Sequence, residues 1–215
     1  MKMNLRFCAA LLCAAMAAPA VAQDLQPIQL PKPRITGGKP LMEALALRSS
    51  AREFGPEKLG PQVLSDMLWA AWGFNRPDAG KRTAPSSTNR QEIDVYVATA
   101  EGAYLYDAKA NRLQPVAAGD LRAATGTQPY VGTAALNLVY VADYARMAGS
   151  NDQAKAVTAA VNTGFISQNV YLYCASEGLA TVVRGSVNRD ELAKALKLRP
   201  EQHVTYAQSV GYPKK

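Results

Sequence analysis

Pro85-Ser86-Ser87-Thr88-Asn89-Arg90-Gln91 sets a proline, three hydroxyls and two amides into seven residues, and a strand-like run, Ile93-Asp94-Val95-Tyr96-Val97, follows at once. Such a loop offers many neutral hydrogen-bonding groups and no acid–base catalyst. That chemistry suits gripping a polar heterocycle better than cleaving a bond. The same residues are ordinary turn formers, so the meaning of the loop depends on what surrounds it.

Upstream, Leu41 to about Arg48 reads as a short helix. Pro61 then opens a second helix with an apolar face of Val63, Leu64, Met67, Leu68 and Ala71, and Gly73 ends it. Residues 74–92 read as one long polar loop, a length that inside a compact domain points to function. Downstream, strands are expected at 93–100, 103–107 and 112–116, the last two as a hairpin around Lys109-Ala110-Asn111. A short helix follows from Asp120 to Gly126, then a Leu/Val-rich buried strand over 134–141. The longest helix spans 152–177, with Val157, Val161, Phe165, Leu172 and Ala175 as buried candidates and Gly178 as its cap. A strand at 180–184, a helix at 189–197 and a strand at 203–211 complete the chain. This mixture lacks a regular βαβ alternation, which argues for an α+β fold.

The N-terminus reads separately. Lys2 and Arg6 precede an apolar run from Phe7 to Ala18 and an Ala-x-Ala site ending at Ala22, the layout of a secretory signal peptide over residues 1–22. The run is too short for an ordinary membrane span, and no later run reaches that length. Export, to a periplasm-like compartment by a Sec-type signal, is therefore expected, with no stable membrane insertion. Cleavage leaves 193 residues with 22 basic and 17 acidic side chains, a net charge of +5. That length suits one domain. Lys and Arg are scattered rather than clustered, so nucleic acid is not an expected partner. Residues 23–40 form a Pro/Gly-rich arm, expected either to wrap over the domain at 41–215 or to tether it loosely. Of three cysteines only Cys174 survives cleavage. It lies in a helical pattern and is expected to be buried and inert, so a thiol redox reading lacks a resolving partner.

The chain also excludes chemistry. It has one histidine, His203, in an expected strand, and no grouping of metal-ligand residues. Gly37-Gly38-Lys39-Pro40 lacks the Walker spacing and no Gly-x-Gly-x-x-Gly occurs. Three polar groups remain. Arg48-Ser49-Ser50-Ala51-Arg52 could cradle a phosphate between two guanidiniums, although arginines at a helix end also satisfy carbonyls. The second is the loop at Pro85. The third is the long helix with Gly164, Gln168 and Asn169, followed by Val183-Arg184-Gly185-Ser186; its buried-side amides need partners.

In order and spacing these groups resemble the nitroreductase family of FMN-dependent oxidoreductases. Arg48-x-Ser50-x-Arg52, Pro85-Ser86-Ser87-Thr88-Asn89-x-Gln91, Gly164-x-x-x-Gln168-Asn169-x-x-Leu172 with Gly178-Leu179, and Val210-Gly211-Tyr212-Pro213 are similar to its motifs, in register from about Leu41 to Pro213. The resemblance implies an α+β homodimer with a central mixed, mainly antiparallel sheet flanked by helices and a long interface helix. Two FMN sites would lie between subunits. It implies Arg48 and Ser50 on the phosphate and Arg52 at the pyrimidine edge. Pro85, Ser86, Ser87 and Asn89 would come from the partner subunit, with Gln168 nearby and the Arg184–Gly185 backbone beside flavin N5. Expected partners are NAD(P)H or another reductant and a small acceptor, a nitro compound, quinone or similar molecule. The flavin would carry the hydride, which fits a site without a side-chain nucleophile. A non-catalytic binding module on the same scaffold is the alternative. Two departures stand out. Many members carry Glu where this chain has Arg184. Many also continue past Lys214-Lys215 with further basic residues, a role left here to Lys214. Leu68-Trp69-Ala70-Ala71-x-Gly73 resembles azoline-forming relatives, but their Lys-Tyr catalytic pair is absent.

Overall fold

The computed structural model describes residues 25–149 and 151–215. The expected signal peptide lies outside the described residues. Among the described residues nine strands and four helices follow one another as β1 (Ile28–Gln29), α1 (Leu41–Leu47), α2 (Pro61–Trp72), β2 (Phe74–Arg76), β3 (Lys81–Arg82), β4 (Ile93–Ala98), β5 (Gly102–Asp107), β6 (Arg112–Ala118), β7 (Leu136–Asp143), α3 (Asp152–Glu177), β8 (Ala180–Arg184), α4 (Arg189–Ala195) and β9 (Gln202–Gly211). Seven strands form one sheet in the order β1-β6-β5-β4-β7-β9-β8, and β2 with β3 forms a separate hairpin. Every pairing in the large sheet is antiparallel among the described residues, so the parallel component that "mixed" allowed for is not found there.

Alternation along the central strands builds two unequal layers on this sheet. Ile93, Val95 and Val97 of β4 point to one face, where Leu138 and Tyr140 of β7 join Met67, Leu68 and Trp72 of α2 and Ile166, Val170 and Cys174 of α3. Tyr96, Val139, Val141 and Ala207 point to the other, covered by Val187, Leu192 and Leu196 on and around α4. Because both faces are covered, β7 is buried along its whole length, and from Leu138 to Ala142 it reads as a continuous apolar run rather than an alternating one.

The helix ends follow ordinary chain chemistry. Pro61 sits in the first turn of α2, where its missing N–H is no loss. The Asn151 side chain accepts from the N–H groups of Gln153 and Ala154 to open α3. Gly178 closes α3 in the left-handed region at φ 69°.

One open alternative is decided and three expectations change. The arm wraps rather than dangles: β1 pairs with β6, and Arg34 donates its backbone N–H (2.7 Å) and Nε (2.8 Å) to the buried Asp66. Residues 74–92 are not structureless, because β2, β3 and short 3-10 turns at Pro77–Ala79 and Ser87–Asn89 lie within them. The helix expected over 120–126 shrinks to a single 3-10 turn at Ala123–Thr125, the Asp120 carboxylate being taken up by Arg122 two residues on. Last, Val157, Val161 and Phe165 are not core residues. They stand 61, 51 and 44% exposed, while Ala159, Ile166, Val170 and Cys174 face the sheet. Helix α3 is apolar on two sides and the single chain covers only one of them.

Candidate functional site

Strand β8 is the outer strand of the sheet, so the backbone groups of alternate residues point away from β9. Those groups are used in sequence. The carbonyl of Thr181 accepts from Ala51 N–H at 2.9 Å. The N–H of Val183 donates to the Tyr171 hydroxyl, also at 2.9 Å. The next group in that register belongs to Gly185, exposed and with no partner for its N–H among the described residues. The edge thus ends in an open donor, framed by backbone that can approach a flat ligand closely because residue 185 has no side chain.

Tyr171 links this edge to the arginine segment. Its hydroxyl lies 2.8 Å from Ser50 Oγ, and the Arg48 guanidinium sits 5.4 Å over its ring. Arg48 closes α1 and takes its N–H back to Ala44; the chain then runs extended along β8, with Phe54 bridging Pro213 and Gly55 N–H donating to Tyr212. Lys214 N–H reaches the Glu53 carbonyl at 3.4 Å, which brings Lys214 to the segment that carries Arg52. Arg48, Ser50, Arg52, Gly185 and Lys214 therefore share one margin of the protein, with Ser50 and Arg52 exposed on it. Sequence reasoning missed Tyr171. Its one visible signal was position: Tyr171 falls three residues after Gln168 on the same helical stretch.

The loop at Pro85 is tied by hydrogen bonds of its own but lies elsewhere. Ser86 Oγ accepts from Gln91 N–H (3.0 Å), and Gln91 Nε2 donates to the Gly80 carbonyl (2.6 Å) and Asn89 Oδ1 (3.0 Å). Arg82 Nε donates to Gln91 Oε1 at 2.8 Å while its guanidinium lies 4.1 Å from the Phe74 ring centroid and 4.7 Å from that of Trp72. Burial pulls the Arg82 pKa down to about 10. Thr88, Asn89 and Gln91 all adopt positive φ, near 50°, so the loop holds its shape against local preference. Its Ser87 and Thr88 flank the N-terminal half of α3, at Lys155 and Thr158. Thr158 and Tyr171 are thirteen residues apart, about 20 Å along the helix axis. Within one chain the loop and the Arg48–Gly185 margin do not meet.

The remaining expected residues divide. Gln168 is half-buried on α3, with no side-chain hydrogen bond among the described residues, whereas Asn169 donates to the Ala70 carbonyl at 3.0 Å and is structural. The side chain of Arg184 turns away from the open edge into the sheet, where Nη2 donates to Thr125 Oγ1 (2.7 Å), the Thr125 carbonyl (3.0 Å) and Asn137 Oδ1 (3.1 Å). His203 is exposed and stacks on Tyr144 at 4.1 Å between centroids, remote from this margin. Cys174 is buried and unpaired, its thiol pushed upward in pKa by burial. No group of His, Cys, Asp and Glu among the described residues could hold a metal, and no described helix is long and apolar enough to cross a membrane.

Comparison with known proteins bears on the family and the fold. The sequence model described as "Nitroreductase family" fits residues 45–212. A curated Methanocaldococcus jannaschii protein, named as a candidate nitroreductase, is 27% identical over 169 residues, covering 74% of this chain and 85% of its own. Among solved structures, one from Ralstonia eutropha JMP134, also described as a candidate nitroreductase, is 42% identical, covers 95% of this chain and 97% of its own, and superposes with a TM-score of 0.85. The Escherichia coli microcin synthetase complex McbBCD shares the fold alone, at 18% identity, TM-score 0.67, and coverage of 96% and 85%.

Proposed function

From its membership of the nitroreductase family, fixed by the match across residues 45–212, and hence its standing as an oxidoreductase of that type, we propose that the chain is an FMN-dependent enzyme passing electrons from a reductant to a small acceptor. The observation that carries the reading is the β8 edge. It joins Arg48, Ser50 and, through Tyr171, Val183 to an open Gly185 N–H, on a margin with no metal cluster or histidine among the described residues. These groups fit FMN. Arg48, with Arg52 and Lys214, supplies cations for the phosphate and the electron-rich ring edge, Ser50 a hydroxyl, and Gly185 an unpartnered donor for a ring nitrogen. When bound, FMN supplies hydride acceptance from a nicotinamide or another reductant and delivery of two electrons to a nitro compound, quinone or similar molecule, by turns at one site. The protein's part is to bind, orient and exclude.

The site is completed by a second copy. The loop at Pro85 stands about 20 Å from Tyr171 along α3, and α3 leaves Val157, Val161 and Phe165 uncovered. An antiparallel pairing of α3 with its copy, centred on Gly164 and Phe165 midway between Thr158 and Tyr171, covers those side chains. It also carries the loop of one copy to the Arg48 margin of the other. A Cβ at Gly164 would meet nothing within 4 Å in the single chain, so this point is open for close approach. The leader-like residues 1–22 add the proposal that the enzyme works after export, the domain running from residue 41 and the arm from residue 23.

The test is to express residues 23–215, add FMN, and follow flavin absorbance, its bleaching by NADH, NADPH or dithionite, and the mass in solution. A folded monomer that takes up no flavin would sink the reading. A dimer that binds FMN but is bleached by no donor paired with any acceptor would favour a non-catalytic module on this scaffold.

A further inference from the structure

Arg184 is 5% exposed, and its Nε and Nη1 have no hydrogen-bond partner among the described residues. Arg34, Arg112, Arg122, Arg146 and Arg199 each pair with an acid. Arg82 has none but lies on two aromatic rings. Arg184 has neither. Among the described residues its guanidinium bonds only through Nη2, to neutral oxygens of Thr125 and Asn137, and no carboxylate acts on it. A buried charge without a partner is costly and is usually found only where something else supplies the opposite sign.

The charge is also fixed in place. Asn137 is held by Ser209 Oγ, which donates to its Oδ1, and by its own Nδ2, which donates to the Val131 carbonyl at 2.9 Å. Gly126 closes directly over the guanidinium, where a Cβ would stand 2.5 Å from Nε, so a larger residue there would have to displace the Arg184 side chain. Burial accordingly draws the Arg184 pKa down to about 10, still far above neutrality. A rigid cation therefore sits under the residue that precedes the open Gly185 edge, shielded from solvent, where its field reaches further than in water.

We propose that Arg184 is a tuning residue whose missing counter-charge is the negative charge gained by the flavin on the Gly185 edge when it is reduced. Arg184 keeps its proton throughout and touches neither hydride donor nor acceptor; it stabilises the anionic, two-electron-reduced state over the oxidised one. The inference rests on the reading of this edge as an FMN site. One charge acting across about two strand spacings, roughly 10 Å, at an effective dielectric near 20 favours the reduced state on the order of tenfold.

The experiment measures the affinity for oxidised and for dithionite-reduced FMN, and the potential of bound FMN against a redox dye, in the wild type, Arg184→Met, Arg184→Lys and Asn137→Asp. Arg184→Met removes the charge; Asn137→Asp neutralises it in place and covers the case where Arg184→Met does not fold. Both should lose about tenfold in affinity for reduced FMN while that for oxidised FMN stays within about twofold, a downward shift near 30 mV for a two-electron couple. Arg184→Lys should keep the wild-type difference. Equal losses for both oxidation states, up to complete loss of flavin, assign Arg184 a structural role and overturn the proposal, as does an unchanged potential. A wild type that binds no FMN in either state would instead refute the cofactor reading itself.

Discussion

Replacing Tyr171 by Phe tests whether the arginine segment and the β8 edge are one unit. The substitution keeps the buried ring, and with it the surface under Arg48, but deletes the hydroxyl that accepts from Val183 N–H at 2.9 Å and meets Ser50 Oγ at 2.8 Å. The Val183 N–H would be left half-buried without an acceptor, which costs about 1–2 kcal/mol. In a domain of this size each kcal/mol moves Tm by about 2–4 °C, so a fall of about 2–8 °C is expected. Thermal unfolding of the flavin-free protein by circular dichroism reads it. Ser50→Ala should cost less, since Ser50 is exposed, and the double variant should show a coupling of about 0.5–1 kcal/mol because both singles break the same contact. If Tyr171→Phe unfolds within about 1 °C of the wild type and the two changes simply add, the bridge contributes nothing and the grouping of Ser50 with Val183 fails.

Three further outcomes follow from other parts of the molecule. Asp66→Ala removes the acceptor of both Arg34 N–H groups and of Gln62 Nε2, so the arm should detach and trypsin should cut after Arg34 in the native protein, where the wild type resists. Arg82→Met removes the donor to Gln91 Oε1 and leaves that side chain held only through its Nε2, so FMN affinity should fall about five- to tenfold, roughly 1–1.4 kcal/mol, read by flavin fluorescence, with little change in the Arg48 margin. Cys174, protonated and buried, should resist thiol reagents at pH 8 in the native state and react fully once the chain is unfolded.

The sequence carried the large elements because their signals are local. Alternation gave β4, the Pro61 start gave α2, and Gly178 gave the end of α3. What it concealed was set by contacts distant in the chain. Strand β1 is two residues between prolines and exists only because β6 offers an edge. The β2–β3 hairpin looks like polar loop, since its stability comes from Arg82 stacked on Phe74 and Trp72 rather than from any periodicity. Helix α3 misled the reading of its faces because both are apolar, and sequence pattern alone does not tell a face turned to the core from one left for another surface. At the site, the motifs picked out Arg48, Ser50 and Gly185, but only the fold shows that Tyr171 joins them. Arg184 was expected for its backbone, and its side chain proved to be the unusual group.

The two ends of the domain leave from opposite margins. The arm joins the sheet at β1, six strands and roughly 29 Å from β8, whereas Pro213 and Lys214 lie against Phe54 and Glu53 beside the open edge. For anyone who wishes to immobilise, label or fuse this protein, attachment ahead of Leu25 keeps the cargo on the far side and leaves the β8 margin free to exchange small molecules. A tag on the last residue would crowd it.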